Sequence, residues 1–127
     1  MYKGAVISTN ERNPMDNLHE MLACAEHEGF FSIVSWIMPH GKAFRIYNEK
    51  EFVKKILPRF TNKTSFASFE KGLERYGFVK FKVGSNKGAY FHPLFVRHQP
   101  FLTKGKTSIE MQALRWKGAQ PPYFLSS

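Results

Sequence analysis

The stretch Ser65–Phe81, SFASFEKGLERYGFVKF, decides the fold. At about 100° per residue, Phe66, Phe69, Leu73 and Tyr76 fall on one side of a helix, the stripe that such a segment buries. Thr64, Ser68, Lys71 and Arg75 fall roughly opposite, Glu70 and Glu74 lie on one flank, and Gly72 lies on the other. Thr64 or Ser65 supplies the N-cap and Gly77 the stop. FVKFKV then alternates apolar and basic residues as a half-exposed strand does. GSNKGA is a glycine-bounded turn, and YFHPLF reads as the returning partner strand. The unit to be explained is thus an amphipathic helix with a cationic back that runs straight into a hairpin.

Upstream, Asn13-Pro14 reads as an N-cap followed by proline at the first helical position. Met15, Leu18, Met21, Leu22 and Ala25 follow at helical spacing, and Gly29 closes the segment. FSIVSWIM and AFRIY, joined by Pro39-His40-Gly41, read as a short hairpin in which Phe44 and Ile46 alternate with Arg45 and Tyr47. Asn48 caps a second helix, Glu51 completes a capping-box-like arrangement, and Phe52, Val53 and Ile56 form its apolar face. Pro58 cannot donate to a helical ladder, which predicts a kink or an end near Leu57. The order helix, hairpin, helix, helix, hairpin predicts an α+β winged helix-turn-helix, three helices with a small antiparallel β-sheet. In that architecture the third helix enters a DNA major groove. Residues 1–13 read as a loose leader, 14–103 as the winged-helix domain, and 104–127 as a basic, proline-containing C-terminal tail.

A chain of 127 residues holds one domain. With 43% apolar and 16% aromatic residues, thirteen of them Phe, it can pack a core, which excludes a disordered tail. No apolar run approaches the roughly 18 residues needed to span a membrane, and MYKGAVISTNERNP lacks the apolar core of a signal peptide. Cys24 is alone, which excludes a disulfide framework and a cysteine-based zinc site and fits a reducing, intracellular compartment. Residues 1–41 carry two Lys/Arg against five Asp/Glu, a balance of −3, whereas residues 42–127 carry 17 against five, a balance of +12. A basic excess confined to one part of a chain points to a polyanionic partner. No Ser-His-Asp or paired-carboxylate arrangement suggests catalysis. His19 and His27 are eight residues apart, too far for a two-histidine metal pair on adjacent turns. His92 before Pro93 reads as a structural hydrogen bonder and Cys24 as a small core residue. The expectation is a protein that is not an enzyme and uses no metal or other cofactor.

Three separated motifs, IVSWIMPHGKAFRIYNEKEFVKKILPRF, SFASFEKGLERYGF and YFHPLFVRHQPFL, follow one another in the order seen in heat shock factors. Over roughly residues 15–103 the chain resembles the DNA-binding domain of that family. The resemblance implies a transcription factor acting in the nucleus, with sequence-specific binding of double-stranded DNA at inverted repeats of a GAA-type element and no chemistry. It implies heat-shock-factor-like subunits on adjacent half-sites as further partners. It assigns base reading to Lys71, backbone contacts to Ser68, Tyr76 and Lys80, and core positions to Trp36, Phe44, Phe69 and Phe78. Together with Thr64 and Arg75 on the helix back and Lys63 just before it, the expected DNA-binding set is Lys63, Thr64, Ser68, Lys71, Arg75, Tyr76 and Lys80. In the family the wing, here with Lys87, tends to face a neighbouring subunit.

The departures from the family pattern fall on the reading helix itself. Lys71 stands where the family typically has Arg, Gly72 where it has Gln, and Glu74 where it has Asn. Asn62-Lys63 replaces Lys-His, and Val79 replaces an Arg. Lys lacks the planar fork with which Arg contacts guanine, and Glu74 brings a negative charge near phosphates. The ending RWKGAQPPYFLSS carries no heptad pattern, so the chain is either part of a longer one or acts as a monomer without the family's trimer. The alternative reading, which Glu70, Gly72 and Glu74 favour, is a winged-helix protein-interaction module that has lost specific DNA binding.

Overall fold

The computed structural model describes residues 13–118 and Pro122. Most of the expected leader and the end of the expected tail lie outside the described residues. Helix α1 (Pro14–His27) starts where Asn13 accepts the Met15 amide at 2.7 Å, and it buries Met15, Leu18, Met21, Leu22 and Ala25, the stripe read from the sequence. Strands β1 (Val34–Trp36) and β2 (Ala43–Ile46) form the first hairpin. Helix α3 (Phe66–Arg75) follows a helical segment at 49–60, here called α2, and precedes β3 (Val79–Lys80) and β4 (Ala89–Phe91). The four strands form one antiparallel sheet in the order β1-β2-β4-β3. The architecture is thus the α+β winged helix, with one helix more than the sequence suggested.

Three local details depart from the expectation. Pro58 does not end α2. Instead the segment widens into a π-helical stretch, Phe52–Ile56, in which the Leu57 amide reaches back to the Phe52 carbonyl. The wider turn makes room for the proline ring, and the helix resumes over Leu57–Phe60. Only half of the capping box at Asn48 forms: its side chain accepts the Glu51 amide at 3.0 Å, while the Glu51 carboxylate turns to Lys55 at 2.8 Å. Of the strand expected over FVKFKV, only Val79 and Lys80 form ladder pairs; Phe81 adds backbone hydrogen bonds with Ala89 and Gly88 at 3.0 and 2.7 Å, and Val83, beyond it, is 63% exposed.

The core is aromatic and centres on Phe44, which is fully buried. Trp36 and Phe78 meet it edge-on, at 6.2 and 6.1 Å, and Tyr90 stacks on it at 5.3 Å. Phe69 of α3 packs edge-on against Phe52 of α2 at 5.0 Å. Cys24 is only partly buried, and burial pushes its thiol up.

A fourth helix, α4 (Ser108–Ala113), lies within the stretch 104–127 that reads as a tail. Thr107 and Glu110 form a complete capping box, and Met111 is fully buried in the main core. The buried His92 ties this helix to the sheet. Its Nδ1 accepts the Leu94 amide at 3.1 Å, so the proton sits on Nε2, which donates to the Met111 carbonyl at 2.7 Å.

That arrangement needs a neutral imidazole, because a second ring proton would face the Leu94 amide. Burial accordingly lowers the His92 pKa, and burial lowers those of His19 and His40 as well. A depressed pKa means that the unfolded chain takes up protons first. Stability is therefore full above about pH 6.5 and is lost on acidification through the lower, folded value. Urea unfolding from pH 7 to 5 should show a falling midpoint, with a smaller fall in His92→Gln. An unchanged fall in that variant would remove His92 as its source.

Candidate nucleic-acid interface

Helix α3 is held at both ends and on both flanks. Ser65 caps its start, accepting the Ser68 amide at 3.1 Å. At its end the Gly77 amide donates to the Glu74 carbonyl and the Phe78 amide to the Leu73 carbonyl, both at 3.0 Å. This is a Schellman closure, with Leu73 and Phe78 both buried. Gly77 is required twice over. Its φ is +86°, and a β-carbon there would come within 2.9 Å of the Met111 carbonyl and 3.0 Å of the Gln112 backbone. The Gln112 side chain donates to the carbonyls of Glu74 and Arg75, at 3.0 and 3.3 Å, so α4 covers the last turn of the helix.

Phe69 and Leu73 are buried, while Ala67, Lys71, Glu74 and Arg75 form an exposed ridge on the opposite side. The side chains of Lys71, Glu74 and Arg75 have no hydrogen-bond or ion-pair partner among the described residues. Thr64 is exposed just ahead of the cap. Ser68 is less available than its position suggests, because its hydroxyl donates to the Ser65 carbonyl at 3.2 Å. Tyr76 is half-buried against the core.

The other members of the expected DNA-binding set separate onto the two flanks of α3. Lys63, Arg75 and Tyr76 line a cleft of about 290 Å³ between α1, the turn before α3, and α3. The end of the Lys63 side chain crosses α3 at Gly72, where a β-carbon would lie 3.2 Å from its Cε. Lys80 lies on the other flank. Its ammonium donates to the Glu70 carboxylate at 2.8 Å and sits over the Tyr90 ring, 5.4 Å from its centroid. The Tyr90 hydroxyl donates to the same Glu70 oxygen. Burial opposes ionisation of Glu70, but the hydrogen bonds from Lys80 and Tyr90 outweigh it and hold the carboxyl below its ordinary value. Burial, reinforced by Glu70, drives the Tyr90 phenol far above its ordinary range. Lys80 is therefore a partnered cation, unlike Lys71 and Arg75.

The sequence showed Glu70 only as a flank residue, since its partner lies ten residues on, in a strand whose register a sequence does not display. Gln112 was missed together with α4, although Thr107-Ser-Ile-Glu110 is a capping-box signature.

Three helices on a small antiparallel sheet, with the third helix presenting a cationic ridge, define the winged-helix class. A profile of the HSF-type DNA-binding family matches residues 15–108, and the chain belongs to that family. It is 40% identical to heat stress transcription factor A-4a of Arabidopsis thaliana over 73 residues, 58% of this chain and 18% of that protein. It is 29% identical to transcription factor SKN7 of Candida albicans over 84 residues, 66% of this chain and 15% of that protein. The chain thus spans a fifth or less of these curated relatives. Among solved structures, Skn7 of Chaetomium thermophilum with SSRE DNA superposes with a TM-score of 0.58 at 25% identity, covering 81% of this chain and 97% of that one. The same protein with HSE DNA gives 0.55 at 29% identity, covering 66% and 86%.

Gly72 allows a test of the flank. Its backbone is helical, and only the flexible end of Lys63 occupies the space a methyl group would take. Gly72→Ala should therefore raise stability by about 1 kcal/mol, the helix-propensity difference, in a urea or thermal melt. A loss of stability would show that Lys63 is held rigidly across the helix.

Proposed function

We propose that this chain is the double-stranded DNA-binding domain of a heat-shock-factor-like transcription regulator, acting in the nucleus by binding and not by catalysis. Helix α3 lies in the major groove, Lys71 reaches base edges, and Arg75, Lys63, Thr64, Ser68 and Tyr76 contact the backbone. The observation that carries this reading is the exposed ridge of α3, whose two cations have no partner among the described residues. Family membership and the Skn7 structures solved with DNA support it. Heat-shock-factor-like subunits on adjacent half-sites are the protein partners this reading implies. One observation favours the alternative of an interaction module without specific DNA binding: Glu70 neutralises Lys80 beside the reading face. Competition with unlabelled random duplex separates the two, because a specific complex resists it.

Binding should weaken linearly in log affinity against log salt, through counterion release from the phosphates. Each unpartnered phosphate contact contributes about one unit of slope. Arg75→Ala should flatten the slope by about one and Lys80→Ala by much less, whereas Glu70→Gln, which leaves Lys80 charged and unpaired, should steepen it by about one. These are measured by fluorescence titration at several salt concentrations. An affinity independent of salt would end the DNA-binding proposal.

A further inference from the structure

Glu74 is a residue whose place stability does not explain. It stands in the last turn of α3, where the negative end of the helix dipole disfavours a carboxylate. Glu70 is four residues before it, a like-charge spacing that is also unfavourable. Yet Glu70 has Lys80 and Tyr90 as partners, while the Glu74 side chain is exposed and has none among the described residues. Glu74 belongs to the same outward ridge as Lys71, about 60° round the helix from it and roughly 4.5 Å further along the axis. That rise is close to the spacing of successive base pairs, about 3.4 Å.

A carboxylate is an acceptor only. Inside a groove walled by phosphates it is repelled unless it meets a donor on a base edge. Two bases present an amine donor there, cytosine at N4 and adenine at N6, but adenine sets its N7 acceptor beside that amine. An acceptor-only side chain is therefore matched to cytosine and mismatched to adenine. Resting on the reading of α3 as the groove-bound helix, we propose that Glu74 is a specificity-determining residue that accepts from cytosine N4 at the base pair next to the one addressed by Lys71. The ridge then presents a donor and an acceptor side by side, a guanine reader followed by a cytosine reader.

Selection from random duplexes with the wild type, Glu74→Gln, Glu74→Ala and Lys71→Ala tests this. Both Glu74 substitutions leave the fold intact, since the exposed side chain has no hydrogen-bond or ion-pair partner among the described residues. The wild type should enrich cytosine beside the position that Lys71→Ala flattens. Glu74→Ala should lower the preference for that cytosine by about tenfold while binding all duplexes somewhat more tightly, because a repulsive charge is gone. Glu74→Gln should move the preference at the same base pair to adenine, whose N6 and N7 a carboxamide contacts together. An enriched site left unchanged by both Glu74 variants, or tighter binding without altered preference, would overturn the role of Glu74 and leave α3 as the reading helix. A wild type that enriches no site would overturn both.

Discussion

A single row of side chains runs across all four strands: Trp36, Phe44, Tyr90 and Lys80, each opposite the next in the ladder. Residues directly opposite share a face of the sheet, and this row faces the helices. Its centre is hydrophobic, with Phe44 inaccessible to water, and its far end is polar. The Tyr90 ring stacks on Phe44 while its hydroxyl reaches the Glu70 carboxylate on α3, which also holds Lys80. The orientation of α3 is consequently fixed from two sides. Phe69 and Leu73 press it into the core, and Glu70 fastens its flank to the sheet edge. A ring with an apolar face and a polar tip suits this junction.

Fixing the helix in this way determines which charges it can offer. Glu70 uses Lys80 for structure, so the basic balance beyond residue 41 exceeds the number of cations that α3 and its flanks leave unpaired among the described residues. Gly72 has the opposite effect on the other flank. Without a side chain there, Lys63 lies across the helix and brings its charge to the cleft that Arg75 also lines. Glu70 and Gly72 together therefore weight the positive charge around α3 away from the sheet side and toward the α1 side, and leave Lys71 and Glu74 together on the outward ridge.

Much of this was legible in the sequence because local rules and tertiary packing agree. Asn13-Pro14, the stripe from Met15 to Ala25, the hairpin about Phe44 and the buried face of α3 each follow from periodicity and capping. What was not legible depended on partners distant in the chain. The proline at 58 predicts a kink or an end near Leu57 but does not say which; the burial of Phe52, Ile56 and Leu57 holds the segment helical, and the distortion takes the form of a π-helical stretch that ends at Ile56. The helix at Ser108–Ala113 has only one residue, Met111, that is deeply buried, so no apolar stripe announces it. Lys80 looks like any strand lysine until the register places Tyr90 opposite it and Glu70 above.

Asn13 performs two tasks with one side chain. Its oxygen caps α1, and its amide nitrogen donates to the carbonyl of Lys106 at 3.1 Å, across 93 positions of sequence. The segment leading into α1 and the segment leading into α4 are therefore joined by one hydrogen bond. Since α4 in turn covers the last turn of α3 through Gln112, replacing Asn13 would loosen the start of the first helix and the support of the third together.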